Sequence, residues 1–406
     1  YPTMTSYTED FFDFLNANKT SDPNALRLKF YGKQANGIDY AQAIDQIEAR
    51  RKSGTKLSAL TAYEHFLFPA TICAEQATSS AVAAFHASLI PEGCSVLDLT
   101  CGLGSDAFAM AKKAGTLTAI ERNPHYQSVF KINCETLRAS NIDSICDDSE
   151  KWLKDNDDSF DVIFVDPHRR GKGNIRTYAF EDCIPDVSRL APELLERCER
   201  LIIKASPMLD ISAVAKEIAG CEEIYVVSEN GECKEALVLA RKGGVFSNVH
   251  AVSINKEKLE IFTVNCNETV INDEQSFMDN PDRLSSGFLY EPNASLMKIR
   301  PWKALCRKFN DLSMLHPNTN IFHSNTFYPD FPGRRLNIKG ILDIKTLKSL
   351  KDRNFNVCVR NYPLNASKLE AKLKTRPSDK NYIYGVSVGQ HKAAPILIEC
   401  ALIADN

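Results

Sequence analysis

The sequence predicts an α/β fold: a largely parallel sheet covered by helices, preceded by a helical region and followed by smaller α+β domains. From about Cys94, short β-branched runs alternate with helical stretches, a pattern typical of βαβ units in a parallel sheet. Before that point apolar residues recur at helical spacing, as at Ala41, Ile44 and Ile47. Beyond about residue 245 the runs become shorter and mixed, which predicts small α+β domains.

The central region contains six clear strand candidates and one weaker one. These are residues 95–99, 117–120, 142–146 (the weaker run), 162–165, 201–204, 224–227 and 236–240. A short turn, S-E-N-G-E at 228–232, joins the last two, so we expect them to form an antiparallel hairpin after the parallel strands. We predict four domains: a helical domain at 1–90, a central ligand-binding domain at 91–245, and two small domains at 275–328 and 329–406.

Composition restricts the class of protein. A chain of 406 residues is too long for one ordinary domain. Its net charge of −3 gives no whole-protein electrostatic argument for nucleic-acid binding, so such binding must depend on local patches. The sequence contains no apolar stretch of about 18 residues and no signal-peptide pattern, which predicts a cytoplasmic protein without a membrane partner. The 13 cysteines are scattered and form no C-x-x-C pair, which predicts reduced thiols and no metal site.

A glycine-containing loop follows the first predicted strand. The segment from Asp98 through Thr100, Gly102 and Gly104 leads into a helix that begins near Asp106. Glycines allow the backbone to approach a ligand closely. The spacing loosely fits a dinucleotide fingerprint, but the acidic strand end would repel a pyrophosphate. S-adenosylmethionine (SAM) has an amino group and no phosphate, so it suits this loop better.

Acidic residues also follow the next two predicted strands. Glu121, with Arg122 beside it, ends the second strand, and parallel topology brings it to the same sheet edge as the first loop. We expect Glu121 to bind the ribose hydroxyls, although a surface glutamate at a helix start is the alternative. Asp148, after the third strand, is placed to accept the adenine amino group, or else to cap the next helix.

The order D-x-x-C-G-x-G, I-E-R-N, D-D-S and V-D-P resembles motifs I to IV of class I SAM-dependent methyltransferases across residues 95–240. A parallel sheet that finishes with a hairpin is also the arrangement of these enzymes. The resemblance implies a Rossmann-like, seven-stranded catalytic domain at 91–245 and SAM as the cofactor.

The whole chain resembles a bacterial group of methyltransferases with a small ferredoxin-like domain, here 275–328, and a C-terminal THUMP-like domain, here 329–406. This closer match is carried by residues 166–170, 204–208, 290–294 and 330–334. Residues 75–79 also match. By analogy with trimethylguanosine synthase-like enzymes, Gln76 and Thr78 would bind the SAM carboxylate; the alternative is a polar patch on an alanine-rich helix.

The segment Asp166-Pro167-His168-Arg169 ends the fourth predicted strand, where we place the catalytic residues. Methylases of exocyclic amines usually carry D/N/S-P-P and an aromatic residue at this position, and the first side chain accepts the amine hydrogens. This chain retains Asp166, which we also place beside SAM, and Pro167. His168 would stack on the base or act as a base, and Arg169 would stack or bind phosphate.

The pattern Asp-Pro-x-Arg is also similar to that of uracil C5-methyltransferases. Those enzymes need a nucleophilic cysteine in a Ser-Cys-Asn-Pro-like stretch after strand five, where this chain reads Lys204-Ala205-Ser206-Pro207. Because Ala205 cannot attack a pyrimidine ring, we expect a heteroatom acceptor, a base amine above all. Such a reaction proceeds by direct in-line displacement and depends mainly on alignment.

Structured RNA, such as tRNA or rRNA, is the partner that the THUMP-like resemblance implies. We expect Arg169, Arg170, Lys172, Arg176 and Lys204 to bind the substrate, with a solvated loop and a strand-end cation as the alternatives. In the C-terminal third, basic residues interleave with aromatic residues, as RNA-binding surfaces do: Lys298, Arg300, Lys303, Arg307, Lys308, Arg334, Arg335, Lys339, Lys345, Lys348 and Lys351, with Trp302, Phe309, Phe327 and Tyr328.

Other functions stay open at this point. The chain would also suit a methyltransferase for a protein or small molecule, or a SAM-binding protein without turnover, because His168 and Arg169 are atypical of the acceptor motif. A nicotinamide-dependent enzyme fits less well.

Overall fold

The computed structural model describes residues 7–33, 38–169, 180, 183–256, 258–266, 276–343, 353–390 and 393–404. The chain forms two compact units, Tyr1–Val227 with Lys234–Ser247, and Ser228–Cys233 with Asn248–Asn406. Within the described residues, no helix has both the length and the apolar character needed to cross a membrane. The finer division into four domains remains a prediction.

The first unit begins with six helices: α1 (Glu9–Ala17), α2 (Pro23–Phe30), α3 (Tyr40–Ser53), α4 (Ser58–Thr61), α5 (Thr71–Gln76) and α6 (Ser80–Ser88). Ile44 and Ile47 of α3, predicted from their spacing, are buried in a core with Phe11 and Leu67. The last part of the predicted helical domain at 1–90 contains α5 and α6 as two separate helices. Extended backbone at Ala77 ends α5, and Ser79 caps α6, so residues 77–79 form a short non-helical link.

The first unit also contains the parallel sheet that the sequence predicts. Its strands, in chain order, are β1 (Ser95–Asp98), β2 (Thr116–Ile120), β3 (Ile142–Ile145), β4 (Phe160–Val165), the short pair β5 (His168–Arg169) and β6 (Cys183–Ile184), β7 (Cys198–Ala205), β8 (Cys221–Glu229) and β9 (Glu232–Ala240). Seven of them are ordered β3-β2-β1-β4-β7-β9-β8. The pairings of β1 with β2, β2 with β3, β1 with β4 and β4 with β7 are parallel, and β9 is antiparallel to β7.

Helices alternate with these strands: α7 (Ser105–Ala111), α8 (Pro124–Thr136), α9 (Ser149–Asp155), α10 (Val187–Leu194) and α11 (Ile211–Glu217). The central strands are buried, as in Val162–Val165. Parallel strands with both faces covered read as continuous apolar runs, which is why the sequence identified them. Parallel pairing places the carboxyl ends of β1, β2 and β4 at one edge of the sheet.

The second unit contains an antiparallel hairpin, β10 (Asn248–Asn255) and β11 (Lys258–Asn265), and a seven-stranded sheet. The sheet strands are β12 (Phe288–Pro292), β13 (Ser313–Met314), β14 (Phe322–Ser324), β15 (Gly333–Leu342), β16 (Asn356–Arg360), β17 (Asn381–Val388) and β18 (Ala394–Leu402), in the order β13-β14-β12-β15-β18-β17-β16. Its helices are α12 (Ala294–Ile299), α13 (Trp302–Lys308) and α14 (Ala366–Leu373), with a 3-10 turn at Pro281–Ser285. Because β12 pairs with β15, one sheet spans the predicted boundary at 328/329.

The aromatic residues of the second unit do not form the exposed stacking surface expected from the sequence. Trp302 and Phe309 are buried in a core with Tyr290 and Phe322. Only Phe327 of the four expected residues is among the exposed large hydrophobic side chains in the described part of the chain. The expectation was wrong for Trp302 and Phe309 because α13 and the residue that ends it turn these rings inward.

Candidate active site

A cavity of about 540 Å³ opens at the carboxyl ends of β1, β2 and β4. This volume lies in the range of small-molecule and cofactor sites. Most of the residues predicted from the sequence line this cavity. They are Gln76, Thr78, Asp98, Thr100, Gly102, Gly104, Glu121, Arg122, Asp148, Asp166 and His168. Pro167 and Lys204 are not among the described lining residues.

Asp98 is a buried acid at the end of β1. Its Oδ1 accepts a hydrogen bond from the backbone N–H of Thr100 at 2.9 Å. Burial raises the pKa of Asp98 to about 8, since the charged form loses its hydration. The carboxyl is therefore mostly protonated at neutral pH, and a ligand cation placed beside it would favour the ionised form.

The loop after Asp98 depends on two left-handed glycines. Gly102 has φ +58°, and a Cβ at this position would meet only the carbonyl of Thr100 at 3.9 Å. Gly104 has φ +90° and caps the start of α7, where a Cβ would lie 2.3 Å from Cε2 of Phe130. The first glycine therefore leaves the backbone accessible to a ligand, whereas the second allows the loop to pack closely on α8.

Glu121 joins the loops that follow β1 and β2. Its Oε2 accepts a hydrogen bond from the Gly102 N–H at 3.0 Å, and its Oε1 accepts one from the Asn123 N–H at 2.7 Å. The neighbouring Arg122 lies with Nη2 2.9 Å from Nε2 of His168. Burial and the charge of Arg122 lower the pKa of His168, so the imidazole is neutral and accepts this hydrogen bond from the guanidinium.

Asp148 is the N-cap of α9, the alternative that the sequence left open. Its carboxylate accepts hydrogen bonds from the N–H groups of Glu150 at 3.0 Å and Lys151 at 3.1 Å. Asp147 instead pairs with the Lys151 ammonium at 2.9 Å. Both aspartates nevertheless line the cavity, so capping does not remove Asp148 from reach of a ligand.

Asp166, directly after β4, connects the glycine loop to β7. Its backbone N–H donates to Oγ1 of Thr100 at 2.6 Å. Its Oδ2 accepts a hydrogen bond from Nζ of Lys204 at 2.6 Å, while 42% of the side chain remains exposed. Asp166 is thus held at both its backbone and its carboxylate, and still faces solvent.

Lys204 lies within a buried group of charges. Its ammonium is 2.9 Å from Oγ1 of Thr78 and 3.7 Å from carboxylate oxygens of both Asp106 and Glu235. Behind these two acids lies His86, whose Nδ1 is 2.8 Å from Asp106 and whose Nε2 bonds Glu235. We call His86, Asp106 and Glu235 the His86 cluster.

Both cations of this buried group and the acids Asp106 and Glu235 carry charge near neutral pH. Burial disfavours both cations, but Glu235 and Asp106 raise the pKa of His86 to about 9, and the carboxylates around Lys204 hold its pKa well above the usual range. In return, Lys204 and His86 depress the pKa of Asp106 despite its burial. Burial raises the pKa of Asp166, and the ammonium of Lys204 opposes this shift by favouring the charged carboxylate.

Sequence reasoning missed the His86 cluster as a functional group of residues. It also missed Ile184 and Pro185, which line the cavity because β6 pairs with β5. The predicted substrate contacts Arg170, Lys172 and Arg176 lie outside the described residues, as does the side chain of Arg169. Their roles remain predictions.

The comparisons with known proteins agree with this architecture. A family model for a methyltransferase domain matches residues 90–213, and a model for a ferredoxin-like domain matches residues 288–332. A crystal structure of a proposed methyltransferase from Porphyromonas gingivalis W83 is 25% identical, covers 97% of this chain and 98% of its own, and superimposes with a TM-score of 0.84. The chain therefore has a methyltransferase fold with a ferredoxin-like domain.

Curated relatives share shorter segments. An uncharacterised RNA methyltransferase from Mycoplasma mobile is 36% identical over 98 residues, which are 24% of this chain and 25% of that protein. The small-subunit ribosomal RNA methyltransferase J of Rhodopseudomonas palustris is 29% identical over 177 residues, 37% of this chain and 80% of that protein. The chain thus spans about a quarter of the length of the first relative and four fifths of the second.

Proposed function

We propose that this chain is a SAM-dependent methyltransferase that modifies a heteroatom of structured RNA, with a base amine as the acceptor. One observation carries the proposal: Asp98, Glu121 and Asp166 meet in a single cavity at the carboxyl ends of β1, β2 and β4. Ligands of open α/β sheets bind at this edge. One cavity is then lined by an acid for the SAM ammonium group (Asp98), an acid for the ribose (Glu121) and an acid for the acceptor amine (Asp166).

The residues of the cavity suit the parts of SAM. Asp98 would face the amino group, the backbone around Gly102 and Gly104 would pass close to the ligand, and Glu121 would accept the ribose hydroxyls. Asp148 would accept the adenine amino group. Gln76 is the better side-chain donor to the SAM carboxylate, because the hydroxyl hydrogen of Thr78 is already donated to Asp106 at 2.7 Å.

The transfer needs mainly alignment. When bound, SAM supplies a methyl group on a sulfonium, whose C–S bond breaks with its electrons left on sulfur as the nitrogen of the acceptor forms the new N–C bond. Asp166 accepts a hydrogen bond from the amine and orients its lone pair, and it receives the surplus proton or passes it to water. Because His168 is a neutral hydrogen-bond acceptor toward Arg122, we assign it to shaping the mouth of the cavity.

RNA as the substrate is supported by the names of the two curated relatives and by local positive charge. Arg300, Lys303 and Lys308 are exposed on or beside the short helices of the second unit, where they can contact phosphates. We further propose that residues 329–406 act as a THUMP-like RNA-binding element, that Arg169, Arg170, Lys172 and Arg176 contact the substrate, and that the protein acts in the cytoplasm on tRNA or rRNA.

The proposal is tested by transfer of tritiated methyl from SAM to cellular RNA that lacks modifications. We expect the wild type to label RNA and Asp166→Ala to lose at least about 100-fold in rate, the usual contribution of a positioned acid–base group. A matched control is Asp161→Asn. Asp161 accepts hydrogen bonds from Ser95 at the amino end of β4, far along the strand from Asp166, so this variant should retain the wild-type rate.

Two results would contradict the proposal in different ways. SAM binding by calorimetry without any labelled RNA would reject RNA as the substrate. Labelled RNA whose formation is insensitive to Asp166→Ala would reject the assignment of Asp166.

A further inference from the structure

We propose that the His86 cluster is a positioning device: it fixes the ammonium of Lys204, and Lys204 in turn orients the carboxylate of Asp166 toward the acceptor amine. This inference rests on the proposed function, because it assigns a role within the same site. Lys204 then acts through Asp166 rather than as the direct substrate contact predicted from the sequence.

The contacts form a series that leads from the buried His86 through Lys204 to Asp166 at the cavity. His86, on α6, bridges Asp106 of α7 and Glu235 of β9, so three separate elements are tied together by one ring. The remaining oxygens of the two acids each lie 3.7 Å from the Lys204 ammonium, at the end of β7. A closer contact, 2.6 Å, joins the ammonium to Asp166.

The exposed fraction of the side chains increases from His86 through Lys204 to Asp166. The side chain of His86 is fully buried, that of Lys204 is 11% exposed and that of Asp166 is 42% exposed. Asp106 and Asp166 both line the cavity, but the side chain of Asp166 is much the more exposed, 42% against 10% for Asp106. We therefore assign Oδ2 of Asp166 to Lys204 and its Oδ1 to the acceptor amine.

A contribution to stability does not by itself explain why the His86 cluster and Lys204 are buried together. Buried ion pairs lose hydration that their mutual attraction barely restores, and well-packed apolar residues of the same volume often serve as well or better. Burial of two cations and two acids directly behind the reacting edge is instead expected where a charge must be held in one place before the substrate arrives.

The decisive variant is Glu235→Gln, which preserves the shape of the side chain but removes one charge from the cluster. We expect kcat to fall about 10- to 100-fold, the range expected when a reacting group is displaced by about 1 Å, while KM for RNA and the Kd for SAM stay within about twofold. Asp161→Asn, a carboxylate variant at the opposite end of the same sheet, should leave kcat unchanged.

The pH profile gives a readout that a purely structural role would not move. The charged groups that face His86 are Asp106 from α7 and Glu235 from β9, with Lys204 of β7 beyond them. In the wild type His86 stays protonated up to a pKa of about 9. Without Glu235 the pKa of the buried ring should fall, because one carboxylate fewer opposes the effect of burial. The kcat of Glu235→Gln should therefore decline at a lower pH than the kcat of the wild type, which should decline only near pH 9.

Activity is not the only test. A crystal structure of Glu235→Gln should show the Lys204 ammonium moved from its place among Asp106, Glu235 and Asp166, with the Asp166 carboxylate following it. Unchanged positions of both groups would overturn the inference whatever the substrate. If Glu235→Gln does not fold, His86→Gln tests the same cluster from its other side. An inactive wild type would count against the proposed function, whereas an active wild type matched by Glu235→Gln in kcat and pH profile would overturn only this inference.

Discussion

The two units bury charge in different ways. In the first, both cations of the group behind the cavity are enclosed: His86 is fully buried and Lys204 nearly so. In the second unit, the ion pairs around Glu291 enclose only the acid. Glu291 is 6% exposed and accepts hydrogen bonds from Arg334 at 3.1 Å and Arg360 at 2.6 Å, and the side chains of these arginines are 51% and 44% exposed.

This difference in the burial of the cations distinguishes a carboxylate that holds strands together, as Glu291 does, from a charged group that serves a functional site. Glu291 of β12 also accepts a hydrogen bond from the Tyr384 hydroxyl at 2.7 Å, so one carboxylate joins β12, β15, β16 and β17. Because its two arginines retain much of their hydration, this arrangement costs little and is sufficient to hold a sheet together. Enclosing the cations as well, as the first unit does, is costly, and we attribute that cost to function.

The largest effect is expected from Lys204→Met. The change leaves Asp106, Glu235 and Asp166 close together with His86 as the remaining cation, and breaking a buried pair typically costs about 3–5 kcal/mol. We expect a loss of unfolding free energy in that range, measured by urea titration, together with loss of methyl transfer. A variant with wild-type stability would show that the group is not an enclosed charge network, and the contrast between the units would fail.

The next largest effect is a dependence of the unfolding free energy on pH, caused by the titration of His86 in the first unit. The folded-state pKa of His86, about 9, is raised above its ordinary value of 6.5. The resulting stabilisation is complete below about pH 6.5 and is lost as the pH rises through 9. Its size is on the order of 3 kcal/mol.

Urea titrations between pH 6 and 10 measure this effect, and His86→Gln serves as the comparison. The difference in unfolding free energy between the two proteins should shrink with rising pH. A constant difference would mean that folding does not raise the pKa of His86.

A smaller effect is expected from Glu291→Gln in the second unit. An amide retains one acceptor but cannot hold both arginines by charge, so we expect a loss of about 1–3 kcal/mol of unfolding free energy. Affinity for SAM, measured by calorimetry, should not change. A change in SAM affinity would contradict the interpretation of Glu291 as a structural clamp.

The smallest effect concerns Asp98. Since its pKa is raised to about 8, binding of the SAM ammonium should expel close to one proton at pH 7, and the affinity should rise up to about tenfold from pH 6 to 7. Calorimetry in buffers of different ionisation enthalpy measures the proton release. Asp98→Asn should bind more weakly and show no release, whereas equal release by both proteins would place the proton elsewhere.

Strand-end features were predictable because their signals are local. Asp98, Gly102 and Glu121 each follow a continuous apolar run within a few residues, and parallel topology then places them at one edge. The His86 cluster has no such signal, because its partners are far apart in the chain: His86 is 20 residues from Asp106 and 149 from Glu235. A lone histidine on an alanine-rich helix looks like any core residue.

The burial of individual side chains could not be predicted from the sequence either. Lys204 stands at the end of an apolar strand, where a solvated cation and an enclosed one give the same pattern. In the second unit, Trp302 and Phe309 lie among lysines and arginines, so the pattern resembled an RNA-binding surface. Which face of a short helix is covered depends on distant strands, and the sequence of the helix alone does not contain that information.

The contact between Gly104 and the ring of Phe130 has an evolutionary consequence. The space that a Cβ at position 104 would need is filled by the rings of Phe130 and Phe108, and the φ of +90° is one that side-chain-bearing residues rarely adopt. Across related chains, glycine is therefore expected at 104 even where a smaller residue replaces Phe130. The helix that faces the loop adds its restriction from 26 positions away, and an engineered cofactor site would have to redesign the loop backbone as well as the ring.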